Sequence, residues 1–163
     1  MKIAVIADSH DRLPALSRAL ELFESLGVQA VLHAGDFVAP FAAKLLVGPG
    51  APDPATAPLY CVYGNNDGER VGLKKVLPQV QDGPLRVELG GKTIVMHHWI
   101  EWLTPQDVVG AQIVITGHTH QVVQEKRDGV LYLNPGECCG WLTGRCTVAL
   151  LDTKTLTAQI IEV

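Results

Sequence analysis

Residues able to bind a metal ion stand at the ends of successive strand-like runs along the chain. They are carboxylates, imidazoles and one amide, with no thiol among them: Asp8, His10, Asp36, Asn65, His97, His118 and His120. Mixed oxygen and nitrogen ligands favour Mn, Fe, Ni, Co or Zn over a cysteine-rich structural zinc site or an all-oxygen calcium site. The set therefore predicts a metal centre that takes part in chemistry.

Seven candidate ligands are more than one catalytic metal with open positions requires. Two cations that share a bridging carboxylate fit the number better. Paired cations about 3.5–4 Å apart are a known solution for in-line displacement at phosphorus, because they lower the pKa of a shared water and stabilise the developing charge. The predicted chemistry is attack on a phosphoric ester by a hydroxide that bridges the two metals.

The runs that precede these residues have the character of a parallel sheet. The first, Ile3 to Ala7, is continuously apolar, as in a strand covered on both faces, and two further runs end before Asp36 and Asn65. A segment with helical spacing of leucines lies between the first two runs. Because ligands bind at the carboxyl ends of strands in such sheets, we expect the candidate side chains to converge on one rim.

The second half of the chain is rich in hairpin signals. Gly90-Gly91 separates Leu85–Leu89 from Lys92–Met96, and Asp128-Gly129 separates two further strand-like runs. A last pair of strands is expected over residues 147–151 and 157–162. The whole chain, 1–163, predicts one α/β domain in which two sheets pack face to face with helices outside.

Composition narrows the class of protein further. The 163 residues are 47% hydrophobic and 18% charged, which is typical of a folded globular chain. The formal net charge of -4 argues against a stable nucleic-acid partner held through backbone phosphates. The apolar run at the start is too short for a signal peptide or a membrane span, and the four cysteines lack a CxxC spacing. We therefore expect a cytoplasmic protein with free thiols and no membrane partner.

These motifs, in their order along the chain, resemble those of the calcineurin-like metallophosphoesterases: Asp8-x-His10, Gly35-Asp36, Gly64-Asn65-x-Asp67, His97 and Gly117-His118-x-His120. The length and two further segments are similar to the small single-domain branch, the YfcE/MJ0936-type phosphodiesterases. Those segments are Tyr63-Gly-Asn-Asn-Asp-Gly-Glu-Arg70 and Asn134-Pro-Gly-Glu-Cys-Cys-Gly140. The resemblance covers essentially the whole chain and implies a four-layer α/β sandwich, with two packed mixed sheets flanked by helices.

The resemblance also implies an assignment of the ligands. One metal would take Asp8, His10 and His120, the other would take Asn65, His97 and His118, and Asp36 would bridge the two. It implies two divalent transition-metal ions per chain, with Mn ahead of Ni, Fe, Co and Zn. It further implies a small-molecule phosphodiester substrate and, together with the three tryptophans, a homodimer or higher homo-oligomer.

Two departures from the family pattern concern proton donation. Many relatives have Gly-Asn-His, whose histidine is thought to protonate the leaving group. This chain has Asn66 at that position, and an amide cannot act as a general acid at neutral pH. Relatives often have His-Gly where this chain has His97-His98, so His98 is a candidate substitute acid, a substrate contact or a solvated neighbour. Asp67 is expected to support the site or form a turn, and Arg12 is a candidate contact for substrate phosphate.

Several alternatives stay open at this point. A phosphomonoesterase would use the same residues, and the retromer scaffold subunit has this fold without some of the metal-binding histidines. Because all seven ligand positions are filled here, the sequence favours catalysis. His33 is predicted to be a core or supporting histidine, and Cys138 and Cys139 to be small apolar groups. The tryptophans are expected in the core, in a substrate cleft or at a subunit contact.

Overall fold

The computed structural model describes residues 1–163, with strands and helices numbered here in chain order. The first of its two five-stranded sheets contains β1 (Lys2–Ile6), β2 (Val31–His33), β3 (Leu59–Cys61), β9 (Thr147–Asp152) and β10 (Thr157–Glu162). Its spatial order is β10-β9-β1-β2-β3. The first three strands are parallel, as predicted, and β9 pairs antiparallel with both β1 and β10.

The second sheet is built from the predicted hairpins and one parallel strand. It contains β4 (Leu85–Leu89), β5 (Lys92–Met96), β6 (Ile113–Ile115), β7 (Val122–Arg127) and β8 (Val130–Pro135), in the order β4-β5-β6-β8-β7. Gly90 and Gly91 join the first hairpin with φ values of 57° and 71°. Positive φ at both central residues is what a type I′ hairpin turn requires, so the paired glycines set this register.

All three α-helices pack on the outer face of the first sheet. The first, α1 (Leu13–Leu26), has proline in its first turn and ends at Gly27 in the left-handed conformation. The second, α2 (Pro40–Leu45), begins only after Val38, since Val38 has a φ of 80° that no right-handed helix accommodates. The third, α3 (Arg70–Val76), was not predicted because its seven residues bury only Leu73.

Alternation along β1 divides the core into two layers. Ala4 and Ile6 face the helices, whereas Ile3, Val5 and Ala7 face the second sheet. A smaller cluster around Val95 lies on the outer face of the second sheet, and a 3₁₀ helix (Ile100–Trp102) follows β5 there. The predicted sandwich is confirmed, with the α-helices gathered in one outer layer. No helix of the chain combines the length and apolar character needed to span a bilayer.

Candidate metal centre

The loops that follow β1, β2 and β6 hold their ligand candidates in a left-handed backbone conformation. The φ values are 52° at Asp8, 39° at His10, 60° at Asp36, 69° at His118 and 60° at His120. Such values cost about 1–3 kcal/mol each in non-glycine residues and are concentrated at functional sites. Hydrogen bonds between the loops maintain them: the Asp8 N–H donates to the Gly35 carbonyl, and the His10 N–H to the Asp36 carbonyl.

Two buried carboxylates and two imidazoles form the first half of the cluster. The side chains of Asp8 and Asp36 are almost completely inaccessible to solvent. His10 Nε2 lies 3.3 Å from Asp36 Oδ2 and 3.8 Å from Asp8 Oδ1. His120 Nε2 lies 3.6 Å from Asp8 Oδ1. The ligand atoms of Asp8, His10 and Asp36 all lie within 4.8 Å of one another, as in a group that can share one ion.

An amide and two further imidazoles form the second half. Asn65 Oδ1 lies 2.7 Å from His118 Nδ1 and 2.9 Å from His98 Nε2. His98 Nε2 is also 3.4 Å from Asp36 Oδ2, the oxygen that His10 approaches from the other half. The Asp36 carboxylate therefore lies between the two halves of the cluster.

The two adjacent histidines, His97 and His98, lie on opposite faces of the second sheet. Ile94 and Met96 face the core between the sheets, and Val95 faces outward. Because side chains alternate along an extended chain, His98 continues the inward series and His97 the outward one. His97 packs edge-on against Trp102, with ring centroids 5.3 Å apart, and no hydrogen bond or ion pair joins it to Asp36 or Asn65. The structure therefore brings His98, and not His97, beside Asp36 and Asn65.

The orientation of His98 is fixed by a backbone group. Its Nδ1 lies 2.8 Å from the Ala34 carbonyl oxygen, which only accepts hydrogen bonds, so Nδ1 carries a proton. Nε2 then points toward Asp36 and Asn65. Burial lowers the pKa of His98, but the hydrogen bond and charge of Asp36 outweigh burial and raise it overall. Because the ring is fully buried, His98 is not a solvated neighbour.

The Asn66-Asp67 pair connects the loops around Asp36. Asn66 donates twice to Asp36, from its backbone N–H to Oδ1 and from Nδ2 to Oδ2, both at 2.8 Å. Asp67 is buried and accepts backbone N–H groups from Gly64, Val38 and Asp36 at 2.7, 2.7 and 3.1 Å. These contacts fit the supporting role predicted for Asp67. Burial opposes ionisation of Asp36, but the close imidazoles of His10 and His98 outweigh burial and hold its pKa well below the usual range.

Sequence reasoning did not single out the carboxylate of Glu137. This side chain is fully buried, and its Oε2 lies 2.7 Å from His120 Nδ1 and 3.0 Å from Cys139 Sγ. Burial and the neighbouring Glu137 raise the pKa of the Cys139 thiol, so the thiol is neutral. The Cys139 sulfur also lies within 4.8 Å of ring nitrogens of His10 and His120. The signal that could have pointed to Glu137 was its place as the acidic residue of the Asn134–Gly140 segment, which resembles the same segment of the family.

The remaining candidates lie at the edge of the cluster. Arg12 Nη1 donates to the Cys139 carbonyl at 2.5 Å, and its guanidinium lies 4.7 Å from the centre of the exposed Trp141 ring. Trp99 packs against His118 with ring centroids 4.0 Å apart. His33 is buried, hydrogen-bonded to Ser9 and stacked on Phe37, and burial lowers its pKa to about 3. It therefore supports the loops as a neutral core histidine.

The cluster is suited to a transition metal. His10 Nε2 is buried and has no hydrogen-bond partner, a costly state for a polar atom that ligation of a metal removes. Its neighbours are carboxylate oxygens and imidazole nitrogens, the donors that Mn, Fe, Co, Ni and Zn accept. The residues present therefore fit divalent metal ions of this class.

Comparison with known proteins identifies the class that this fold and cluster define. The family model described as "Calcineurin-like phosphoesterase superfamily domain" matches residues 1–156. The chain belongs to this superfamily and is a hydrolase of phosphoric esters, as its motifs indicated.

Individual relatives narrow the resemblance to one branch. The chain is 38% identical over 162 residues to "Phosphodiesterase MJ0936" of Methanocaldococcus jannaschii, a match covering 94% of each chain. A solved structure described as a novel archaeal phosphodiesterase has a TM-score of 0.83 at 36% identity and covers 100% of both chains. YfcE, a phosphoesterase from E. coli, has a TM-score of 0.69 at 23% identity, covering 99% of this chain and 98% of its own, and supports the fold alone.

Proposed function

We propose that this chain hydrolyses phosphodiesters at a centre of two divalent transition-metal ions. The observation that carries the proposal is the position of Asp36, whose Oδ2 faces His10 on one side and His98 on the other. A carboxylate between two groups of nitrogen and oxygen donors is what a bridging ligand requires. The similarity to a named phosphodiesterase over most of both chains supports the choice of substrate class.

The ligands divide by the contacts they make. We assign Asp8, His10 and His120 to one ion and Asn65, His98 and His118 to the other, with Asp36 bridging. Mn²⁺ is our first choice, with Ni, Fe, Co and Zn as alternatives, because the donor set has no thiolate ligand. Bound there, the two ions would supply the hydroxide nucleophile at neutral pH and stabilise charge on the phosphoryl oxygens.

The protein residues around the centre contribute orientation more than proton transfer. Asn66 is held by two hydrogen bonds to Asp36, and the ring nitrogens of His98 face the Ala34 carbonyl oxygen and Asn65 Oδ1. Neither is free to protonate a leaving group, so the predicted role of His98 as an acid gives way to a role as a ligand. We therefore expect the best substrates to be esters whose leaving groups need no acid catalysis. Arg12, with only Nη1 hydrogen-bonded, remains our candidate for a contact with substrate phosphate.

We propose that the protein works in a reducing compartment on a small substrate. All four cysteines are free and buried, which fits a reducing compartment such as the cytoplasm. A small-molecule phosphodiester is the proposed substrate. The non-catalytic scaffold is disfavoured because the cluster has a complete set of donors.

The two adjacent histidines provide the test. We would purify wild type, His98→Ala and His97→Ala without chelator, count metal ions per chain, and assay an activated aryl phosphodiester and the matching monoester with Mn²⁺. Wild type should bind two ions and prefer the diester. We expect His98→Ala to lose at least one ion and about 10²-fold or more in kcat, since a ligand is lost, and His97→Ala to keep both ions.

Three outcomes would contradict the proposal. Inertness of the metal-loaded wild type toward both esters would refute the proposed hydrolytic activity. A greater loss of bound metal and of kcat in His97→Ala than in His98→Ala would refute the assignment of ligands. Preference for the monoester would make the chain a phosphomonoesterase.

A further inference from the structure

A single buried carboxylate gathers five hydrogen-bond donors behind the ligand cluster. Glu137 has no solvent exposure, and its oxygens accept from His120 Nδ1, Cys139 Sγ, the Leu142 N–H, and the N–H and Oγ1 of Thr143. The Leu142 N–H lies 3.0 Å from Oε1 and 3.1 Å from Oε2 and is shared by the two oxygens. Thr143 donates to Oε1 alone, whereas His120 and Cys139 contact Oε2 alone. Oε1 therefore holds the loop at Thr143, and Oε2 holds the His120 imidazole.

The contact with His120 determines where the imidazole carries its proton. An ionised carboxylate is only an acceptor, so the 2.7 Å contact requires a proton on His120 Nδ1. Nε2 of the same ring lies 3.6 Å from Asp8 Oδ1 and is turned toward the cluster. In the neutral imidazole this leaves the Nε2 lone pair available for a metal.

We propose that Glu137 is a positioning residue that keeps His120 in the Nδ1–H tautomer and presents unprotonated Nε2 to the metal centre. The inference rests on the metal centre proposed above. A carboxylate behind a ligating histidine fixes its ring and raises its basicity, and losing such a partner costs 10–100-fold in metal affinity. Glu137 does not touch the substrate or the metal in this account, and it acts through His120.

Replacement by glutamine is the informative substitution because it keeps the shape and removes the charge. The amide nitrogen of Glu137→Gln cannot face the Thr143 N–H, which donates to the Oε1 position alone, so it must take the Oε2 position beside His120. His120 Nδ1 then has to accept a hydrogen bond, which moves its proton to Nε2. The variant should therefore present an N–H to the metal instead of a lone pair.

The experiment measures the tautomer and the affinity separately. Histidine ¹⁵N–¹H correlation spectra of the metal-free protein, at a pH where the ring is neutral, should show Nδ1–H for His120 in wild type and Nε2–H in Glu137→Gln. Competition with a fluorescent chelator should give a Mn²⁺ affinity lower by about 10–100-fold in the variant. Thr143→Val, which removes a donor from the same carboxylate without touching His120, is the matched control and should retain wild-type affinity.

Each outcome has one meaning. An Nε2–H tautomer in wild type overturns the inference, even if Glu137→Gln fails to fold. Equal Mn²⁺ affinity in wild type and Glu137→Gln, or an equal loss in Glu137→Gln and Thr143→Val, also overturns it, the latter because loop support alone would then explain the effect. Wild type that binds no metal, with His120 in the Nδ1–H form, would instead contradict the proposed function.

Discussion

At the scale of single residues, His10 is the group whose protonation opposes metal binding. Burial lowers its pKa, but the close carboxylates of Asp36 and Asp8 outweigh burial and raise the pKa to about 9 in the metal-free protein. Protonated His10 therefore stabilises the metal-free fold. This contribution is fully present at pH values below the ordinary histidine pKa, and it is lost as the pH rises through about 9. A metal ion must displace the same proton.

Mn²⁺ affinity should accordingly rise between pH 7 and pH 9, by up to about tenfold per pH unit for this one group. Titration calorimetry in buffers of different ionisation enthalpy would measure both the affinity and the protons released. Affinity independent of pH over this range, with no proton release, would contradict the role of His10 as a ligand.

The neighbouring histidines show what sequence reasoning can and cannot supply at this scale. Residue types and motif order were sufficient to predict the membership of Asp8, His10, Asp36, Asn65, His118 and His120 in one cluster. Choosing between His97 and His98 required the alternation of Ile94, Val95 and Met96, which is readable in the sequence once the buried face is known. The contact of Glu137 with His120 depends on loop geometry that no local pattern encodes.

At the scale of elements, the cluster depends on close approach of the loops after β2 and β3. A Cβ at Gly64 would overlap the Asp36 carboxylate and its backbone nitrogen, whereas a Cβ at Gly68 in the same loop would meet nothing within 4 Å. Gly64→Ala should therefore displace Asp36 and abolish metal binding, and Gly68→Ala should leave it intact.

Metal content after dialysis against Mn²⁺ would measure the difference between these two variants, with circular dichroism to establish that both are folded. Two ions per chain in folded Gly64→Ala would contradict the position given to Asp36.

The elements themselves were predictable in proportion to the strength of their local signals. Hairpins with paired glycine or Asp-Gly turns, and the apolar run of β1, were placed within a residue or two. By contrast, α3 was missed because it is short and held by the Glu69 side chain, which accepts from the Gly72 N–H. The backbone of Val38 is in the left-handed conformation, so α2 begins only after it. A valine in the sequence gives no indication of that conformation.

At the scale of the whole molecule, the proposed ligands come from both sheets. Asp8, Asp36 and Asn65 follow strands of the first sheet, and His98 and His118 follow strands of the second. Metal ions held by both groups would link the two halves of the sandwich across the core. Binding should therefore stabilise the entire fold, by about 2.7 kcal/mol when free metal is at 100 times its Kd.

Thermal denaturation with Mn²⁺ and with chelator would test this link. We expect a higher midpoint with metal in wild type and in His97→Ala, and a smaller increase in His98→Ala. The same increase in wild type and His98→Ala would mean that His98 does not hold the metal.

The most direct measurement is anomalous diffraction from crystals of the Mn²⁺-loaded protein. The account predicts two manganese peaks about 3.5–4 Å apart on either side of the Asp36 carboxylate. His98 Nε2 and His120 Nε2 should each ligate one of the two ions. A single peak, or ligation by His97 in place of His98, would contradict it.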